Sequence, residues 1–286
     1  ELLNNATSGF MNQLTFQVAD FKVKAQIYQT KPIAKKIGRK EGLGFDQRYF
    51  VYENRETRSG QQYSQLKGVI KSMSVADNRT VTTGETDPSY FYQIAGGSID
   101  NMGMFAEQRI DAGVNLFLGY QQEAMDGITG RIEYYLSRQL YGKSGKIARG
   151  LTSLKVYLEG AYNRDEYTIS SSGAEDVDQF RISLGVNKDF YLTSNVHLGP
   201  FAGYGIESAT GKTSDYSVNT DFVEAGARLG INIRYNIQLV GSATYYLIIS
   251  PETKDKDGNK IDLGDYDDIF PDRSGLGFSV GLRFML

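Results

Sequence analysis

Cysteine is absent from the 286 residues of this chain, and histidine occurs only once. The lack of cysteine excludes a disulfide framework and, in the sequence as it stands, a lipidated N-terminal cysteine. No apolar run approaches the roughly 18 residues that a membrane-spanning helix needs. The formal net charge of -3 gives no basic excess, so we predict no nucleic-acid partner.

Alternation of apolar and polar residues is the main signal in the second part of the chain. Eight segments after residue 104 show it, each with one apolar face and one face of small or charged residues. A period of two residues is typical of β-strands. The segments are residues 110–120, 132–140, 154–162, 180–186, 196–206, 222–235, 237–249 and 276–286.

The polar faces of these segments resemble the lining of a narrow barrel. Their length suits strands of roughly 9 to 11 residues that cross a bilayer at a tilt. An eight-stranded barrel has an interior just wide enough for side chains to fill it, so glycine and serine would leave room for long charged residues. We therefore predict a plugged lumen with a charge network of Arg109, Asp111, Arg131, Glu133, Lys155, Glu159, Arg181, Glu207, Glu224, Arg228, Arg234 and Arg283.

Aromatic residues lie near the ends of the apolar faces, where a bilayer interface would be. Such positions are typical of aromatic girdles, although tyrosine and phenylalanine also favour strands in general. The residues expected toward one rim are Tyr120, Tyr162, Phe180, Phe222, Tyr245 and Phe278, and those toward the other are Tyr235 and Phe284.

The connections between the segments alternate in length. Residues 235–236 and 189–195 form short connections, whereas residues 163–179, 208–221 and 251–275 form long ones. Outer-membrane barrels have short periplasmic turns and longer outer loops. The first strand would then rise from the periplasm, which places everything before it on the periplasmic side.

Residues 104–286 therefore resemble the small eight-stranded outer-membrane barrels of the OmpA and OmpX type, in strand count, loop alternation and the terminal Gly281-Leu282-Arg283-Phe284 stretch. The resemblance implies the outer membrane of a Gram-negative bacterium, contact with outer-membrane lipids, and a sequence that is either the mature form or a piece of something longer. It also implies a C-terminal signal for the barrel-assembly machinery, formed by Phe278, Val280, Leu282, Phe284 and Leu286. The family commonly ends in an aromatic residue, whereas this chain ends in Met285 and Leu286.

Residues 1–100 have a different pattern of short strand-like segments separated by turn residues, at 16–27, 33–37, 48–53, 66–75 and 90–94. The predicted fold is all-β: a small soluble β-barrel or sandwich of SH3-like type, joined through residues 100–103 to an eight-stranded antiparallel transmembrane barrel over residues 101–286. The basic run Lys31, Lys35, Lys36, Arg39 and Lys40 is either a docking patch for an acidic partner or lipid headgroups, or a solvated loop.

Motifs for nucleotide binding, metal binding or catalysis are weak in this sequence. Gly211-Lys212-Thr213 lacks the preceding glycine of a phosphate-binding loop. Residues 255–259 resemble a calcium-binding loop but lack its spacing. Residues 251–275 are therefore either a loop that binds divalent ions loosely or a solvated acidic loop. The single histidine, His197, is expected to face the lumen near the periplasmic rim. We therefore predict neither enzymatic activity nor a cofactor.

Several functions fit this organisation. The preferred hypothesis is a barrel that anchors a periplasmic β-domain as a structural or accessory subunit of an envelope complex that serves assembly, secretion or transport. The alternatives are a free-standing surface barrel for adhesion or defence, a narrow ion pathway, and a lipocalin-like carrier. A carrier needs an apolar lumen, which would place at least seven basic residues in an apolar cavity.

Overall fold

The computed structural model describes residues 23–82, 86–140, 150–169, 173–212, 216–249, 252–255, 270 and 273–286. Over these residues the chain forms two antiparallel β-structures, together with short 3₁₀ helices at Arg39–Glu41 and Leu136–Leu140. Among the described residues, no helix has the length and hydropathy needed to cross a bilayer.

The N-terminal structure is a curled sheet of seven strands in the order β1-β7-β4-β5-β6-β3-β2. Its core contains Ile27, Leu43, Tyr49, Val51 and Ile70, all of them buried. The strands are β1 (Lys24–Gln26), β2 (Gln29–Thr30), β3 (Ile33–Lys35), β4 (Arg48–Glu56), β5 (Gln62–Ser74), β6 (Ser89–Gly96) and β7 (Phe105–Gln108).

The C-terminal structure is a closed barrel of eight long antiparallel strands. Strand β8 pairs with both β9 and β17, and β13 pairs with β14, which completes the ring. The eight strands are β8 (Val114–Glu123), β9 (Gly127–Tyr135), β10 (Leu154–Ile169), β11 (Gly173–Lys188), β13 (Val196–Gly211), β14 (Tyr216–Arg234), β15 (Ile237–Ile248) and β17 (Gly275–Met285). Two short strands, β12 (Phe190–Tyr191) and β16 (Glu252–Asp255), add to its rims.

The predicted fold is thus confirmed, with eight barrel strands and a β-domain before them. Two predicted outer loops were wrong, because β10 and β11 stay paired as far as Ile169 and Gly173, and β13 and β14 continue through residues 208–211 and 216–221. Polar residues there, such as Arg164 and Asp178, pair across the strands above the apolar band, with side chains that are 50% and 36% exposed. The second strand begins earlier than predicted, and residues 136–140 form a 3₁₀ helix.

The junction between the two structures also differs from the expected one. Strand β7 pairs with β1 and β4, so it belongs to the N-terminal sheet. The connection to the barrel is therefore residues 109–113, and the expected join at residues 100–103 lies too early. Residues 105–108, which were included in the predicted barrel, thus belong to the N-terminal domain.

Candidate functional site

The barrel has its apolar side chains outside and its charges inside. Leu229 is 46% exposed on the outer surface, whereas its neighbour Arg228 is 1% exposed inside. Apolar side chains also cover the outer surface elsewhere around the barrel, where Leu118, Ile132, Leu184 and Val280 are exposed. An apolar outer band around a polar interior is the pattern of a barrel that spans a bilayer. A lipocalin-like carrier requires the opposite arrangement.

Charged side chains cross the lumen as a connected chain of ion pairs. Near the end that faces the N-terminal sheet, Lys155 Nζ lies 2.7 Å from Asp189 Oδ2 and 2.9 Å from Glu133 Oε2. Arg283 contacts the same two carboxylates, each at 3.2 Å. Because every charge here has a partner of opposite sign, the cost of taking it out of water is offset.

The chain continues toward the other end. Arg131 bridges Glu133 and Glu159 at 2.9 and 3.0 Å, and Arg228 contacts Glu159 at 3.0 Å. Farther along, Arg181 pairs with Glu207. Glu224 accepts hydrogen bonds from Tyr157 and Ser183 hydroxyls, each at 2.7 Å. The lumen is thus crossed by bonded side chains.

Aromatic side chains fill the lumen between these charges, which the sequence analysis missed. The guanidinium of Arg228 lies 3.7 Å from the ring centroid of Phe201, and that of Arg131 lies 4.4 Å from the ring of Phe117. Phe222, expected in an aromatic girdle, is instead fully buried beneath Arg181, because it shares the inward face of Glu224. Stacking of arginine on aromatic faces adds to each ion pair.

Glycines make room for this filling. A Cβ atom at Gly203 would lie 2.5 Å from the Tyr157 hydroxyl and 2.9 Å from Glu224 Oε1. These distances are below contact, so only glycine fits between β11 and β14 beside Tyr157. Small residues were predicted to leave room in the lumen for long charged side chains. In the structure they leave room for tyrosine and phenylalanine side chains as well.

Three residues predicted for the lumen lie elsewhere. Arg109 and Asp111 precede β8: Arg109 stacks near Phe50 and Tyr52 of the N-terminal sheet, and Asp111 pairs with Lys71 and Arg138 at the junction. Arg234 is exposed, because the strand pairing shifts between Asn232 and Arg234 and interrupts the alternation. The other nine predicted residues line the lumen.

The predicted docking patch is not a continuous surface. Lys35 is buried in the N-terminal core, with its Nζ 4.0 Å from the ring centroid of Tyr49. Arg39 pairs with Asp77, and Lys36 stacks on Tyr28. Of the five residues, Lys31, Lys36 and Lys40 have exposed side chains, whereas Arg39 is half-buried and Lys35 is buried in β3. A docking patch that includes Lys35 was therefore wrong.

One mouth of the barrel is covered by the N-terminal sheet. Asp46, in the turn before β4, is fully buried and accepts hydrogen bonds from the Ser137 and Tyr92 hydroxyls and, at 2.9 Å, from the Ser153 backbone N–H. Arg48 donates to the carbonyls of Met285 at 3.1 Å and Ile110 at 2.7 Å. A short join was expected to hold the domain against the barrel rim, but the residues that make the contact were not predicted.

Apolar packing supports the same contact. Met285, at the end of the last strand, lies in a buried cluster with Val69, Ile94 and Ala95 of the sheet. Tyr235, expected at a bilayer interface, packs against this cluster instead, and its hydroxyl donates to the Leu66 carbonyl at 3.3 Å. The sheet is thus fixed to the barrel by a hydrophobic patch with polar contacts around it.

At the opposite mouth, residues from the last connection fold inward. Phe270 is buried with Val177, Ala209 and Val218. Arg273 donates to the Ala124 carbonyl at 2.9 Å and to the Tyr167 hydroxyl at 2.8 Å. Residues 251, 256–269 and 271–272 of the predicted ion-binding loop lie outside the described residues. Within those that are described, no group of three His, Asp or Glu side chains is placed to hold a metal ion.

His197 lies inside the barrel near the covered mouth, as predicted. It is fully buried, contacts Arg283 through Nε2, and lies 3.8 Å from Asp189 Oδ2. Its ring packs against Tyr191 with a centroid distance of 5.4 Å.

Among the comparisons with known proteins, only solved structures match this chain. No family model and no curated protein matches the chain. Three solved barrels each match 60% of it. A major outer membrane protein of Thermus thermophilus has 13% identity, is covered over 99% of its own length and gives a TM-score of 0.40. The N-terminal β-barrel domain of Pseudomonas aeruginosa OprF has 12% identity, 96% coverage and a TM-score of 0.36, and Yersinia pestis Ail has 16% identity, 98% coverage and a TM-score of 0.34.

The barrel has the architecture of a small outer-membrane β-barrel. The outward apolar band, the closed ring and the charged lumen carry this conclusion, and the low identities add no function. The protease OmpT of Escherichia coli is a weaker match, with 9% identity over 93% of this chain and 97% of its own and a TM-score of 0.26.

Two surface features of an outer-membrane barrel are where the sequence placed them. Tyr120, Tyr162, Phe180, Tyr245 and Phe278 are all exposed toward one rim. Phe278, Val280 and Leu282 of β17 are exposed on the outer face and Leu286, just after the strand, is also exposed, whereas Phe284 is half-buried. Their role as an assembly signal stays a prediction.

Proposed function

We propose that the barrel anchors the N-terminal β-domain on the periplasmic side of the outer membrane and serves as a structural or accessory subunit of an envelope complex. The observation that carries the proposal is the buried contact of Asp46 with Ser137 and Ser153, which fixes the domain on the barrel mouth. A domain held rigidly at a membrane surface suits a protein that positions other components.

The filling of the lumen favours anchoring over conduction. The ion pairs of Lys155, Glu133, Arg131 and Glu159 cross it, and each partner is buried or nearly so. An ion that passed through would have to displace these pairs, which cost several kcal/mol to separate in a desolvated site. The burial of His197 likewise favours a non-enzymatic role.

The orientation is tested by labelling intact cells. Because the chain has no cysteine, single-cysteine variants report cleanly. Arg58 lies at the exposed tip between β4 and β5, and Gln122 lies exposed at the opposite end of the barrel. We expect a membrane-impermeant maleimide to label Gln122→Cys in intact cells and Arg58→Cys only after the outer membrane is opened. The reverse pattern would overturn a periplasmic domain.

Complex membership is tested by mild-detergent purification of the tagged full chain, a native gel and mass spectrometry of the bands. We expect a reproducible, stoichiometric set of envelope proteins, reduced in an Arg48→Ala variant that loosens the domain from the barrel. Arg58→Ala, at the exposed tip, is the matched control. Recovery of a monomer alone, with the barrel folded, would favour the free-standing surface barrel.

A further inference from the structure

A cleft of about 650 Å³ lies where the N-terminal sheet meets the barrel rim. Its walls are Ala95 and Gly96 of β6 on one side, and Asn195 with residues 232–236 of the barrel on the other. The volume is in the range of pockets that bind small molecules or headgroups. It lies outside the lumen and takes no part in the ion-pair chain.

Hydrogen bonds hold the walls of this cleft in place. Asn195 accepts from the Gly96 N–H at 2.9 Å and donates to the Gly96 carbonyl at 3.1 Å. Asn232 donates to the Ile94 carbonyl and accepts from Gln238 at 2.7 Å. Gly96 has φ of 98°, and a Cβ there would lie 2.5 Å from the Lys67 carbonyl, so the close approach depends on glycine. The cleft is therefore a built feature of the junction.

Arg234 supplies the positive charge of the cleft. The irregular pairing between Asn232 and Arg234 directs its side chain out of the lumen and into the cleft lining. In the described part of the chain, the only basic side chain that lines the cleft is Arg234, and the lining has no acidic residue. A guanidinium in this setting is complementary to a phosphate group, which it can bind with two parallel hydrogen bonds.

The position of the cleft selects the source of the phosphate. Ile231 and Ile233, at 45% and 58% exposed, carry the apolar outer band of β14 down to the cleft, and Leu239 continues it on β15. A bound molecule would thus have hydrocarbon beside Ile233 and a phosphate beside Arg234. A glycerophospholipid has both parts at this spacing, whereas a free phosphate ion would leave the apolar wall unused.

We propose that this cleft binds the phosphodiester headgroup of one glycerophospholipid from the membrane leaflet next to the N-terminal domain. Arg234 binds the phosphate, the Asn236 amide is the polar neighbour available to the headgroup, and the acyl chains lie along Ile231 and Ile233. The lipid would fill the junction between sheet and barrel. The proposal rests on the membrane orientation proposed above.

The test is native mass spectrometry of the full chain, purified in detergent and titrated with a defined phosphatidylglycerol. We expect one tightly bound lipid, with an affinity lowered roughly tenfold in Arg234→Gln, because this substitution removes the charge-assisted hydrogen bonds to the phosphate. Arg234→Lys should recover part of the binding. Arg58→Gln removes an exposed charge from the N-terminal domain at a residue outside the cleft lining, and this variant should bind as the unmodified chain does.

Separate arms distinguish the sources of phosphate. Inorganic phosphate at millimolar concentration should not displace the lipid, and displacement would show a simple anion site. A neutral diacylglycerol should bind weakly, and equal binding would show that Arg234 has no role. Equal lipid binding by Arg234→Gln and the unmodified chain would overturn the site. That result would leave the anchoring proposal intact, because the labelling and purification experiments do not depend on Arg234.

Discussion

The carboxylate of Asp46 accepts a hydrogen bond of 2.9 Å from the backbone N–H of Ser153, so a residue of the N-terminal sheet supports the barrel turn that leads into β10. Asp46 has φ of 53°, a conformation that aspartate tolerates better than most residues. The buried group is satisfied from both sides of the junction, by Tyr92 of the sheet and Ser137 of the barrel.

Replacement of Asp46 should loosen the domain and leave the barrel folded. In Asp46→Ala the Ser153 N–H, Ser137 and Tyr92 lose a charged acceptor, and such bonds contribute about 1.5 to 3 kcal/mol each. We expect hydrogen exchange in β6 to accelerate by at least tenfold while the heat-modifiable gel shift of the barrel persists. Asp77→Ala, at an exposed pair with Arg79, is the control. Unchanged exchange in β6 would show that apolar packing alone holds the domain.

The two faces of β14 should respond differently to substitution. Leu229→Arg places a charge on the outer face and should cost about 2 to 4 kcal/mol near the bilayer midplane. Arg228→Ala should impair insertion less, because Glu159 keeps Arg131 at 3.0 Å. Folding titrations into lipid vesicles compare the two. Equal effects would mean that the assignment of the faces is wrong.

Lys155, the buried lysine of the lumen near the covered mouth, should matter more than Arg228. Lys155→Met leaves Glu133 and Asp189 with fewer cationic partners, although Arg283 still reaches both. Loss of one partner from a buried pair costs about 3 to 5 kcal/mol. We expect a lower urea midpoint for the folded barrel in vesicles. Lys212→Met, at an exposed pair with Asp176, should leave the midpoint unchanged.

Gly203 and Tyr157 should show energetic coupling. Gly203→Ala brings a methyl group within 2.5 Å of the Tyr157 hydroxyl, and overpacking of this kind costs roughly 1 to 3 kcal/mol. Tyr157→Phe removes the clashing oxygen and also its bond to Glu224. The double variant should therefore be more stable than the sum of the single losses predicts. Additive losses in a double-mutant cycle of unfolding free energies would argue against this contact.

The stability of the N-terminal domain should rise with pH. Burial lowers the pKa of Lys35 from its ordinary value of 10.5 to about 7. Between these values the unfolded chain holds a proton that the folded domain has released, so unfolding takes up a proton and becomes less favourable as pH increases. Below pH 7 both states are protonated and the folded domain carries the full cost of the buried charge.

Hydrogen exchange of the core strands β4 and β5, corrected for intrinsic rates, measures this at pH 6.5 and pH 9. Lys35→Met should protect the core at the lower pH and flatten the dependence. A residual slope is expected from Lys71, whose pKa burial lowers to about 8. If the pH dependence of exchange in Lys35→Met equalled that of the unmodified chain, a group other than Lys35 would take up the proton on unfolding.

Alternation of residues was sufficient to predict the barrel, because a strand between lipid and a narrow lumen must place opposite chemistry on successive residues. Leu229 and Arg228 follow this rule without knowledge of any partner strand. The alternation fails where a strand extends beyond the apolar band or its pairing is irregular. Arg164 and Asp178 pair above the apolar band, and Arg234 follows an irregular pairing that no single-strand pattern reveals.

The sequence by itself determined the all-β class, the eight spanning strands, their inward charges and the presence of a separate β-domain. Only the tertiary structure decided that β7 belongs to the N-terminal sheet, that Lys35 is a core residue, and that Asp46 and Arg48 fix this sheet on the barrel mouth. The physical reason is the separation in sequence of the residues involved. Periodicity reports the two environments on either side of one strand, whereas these contacts join residues as far apart as Arg48 and Met285, whose proximity depends on how the completed barrel and sheet pack together.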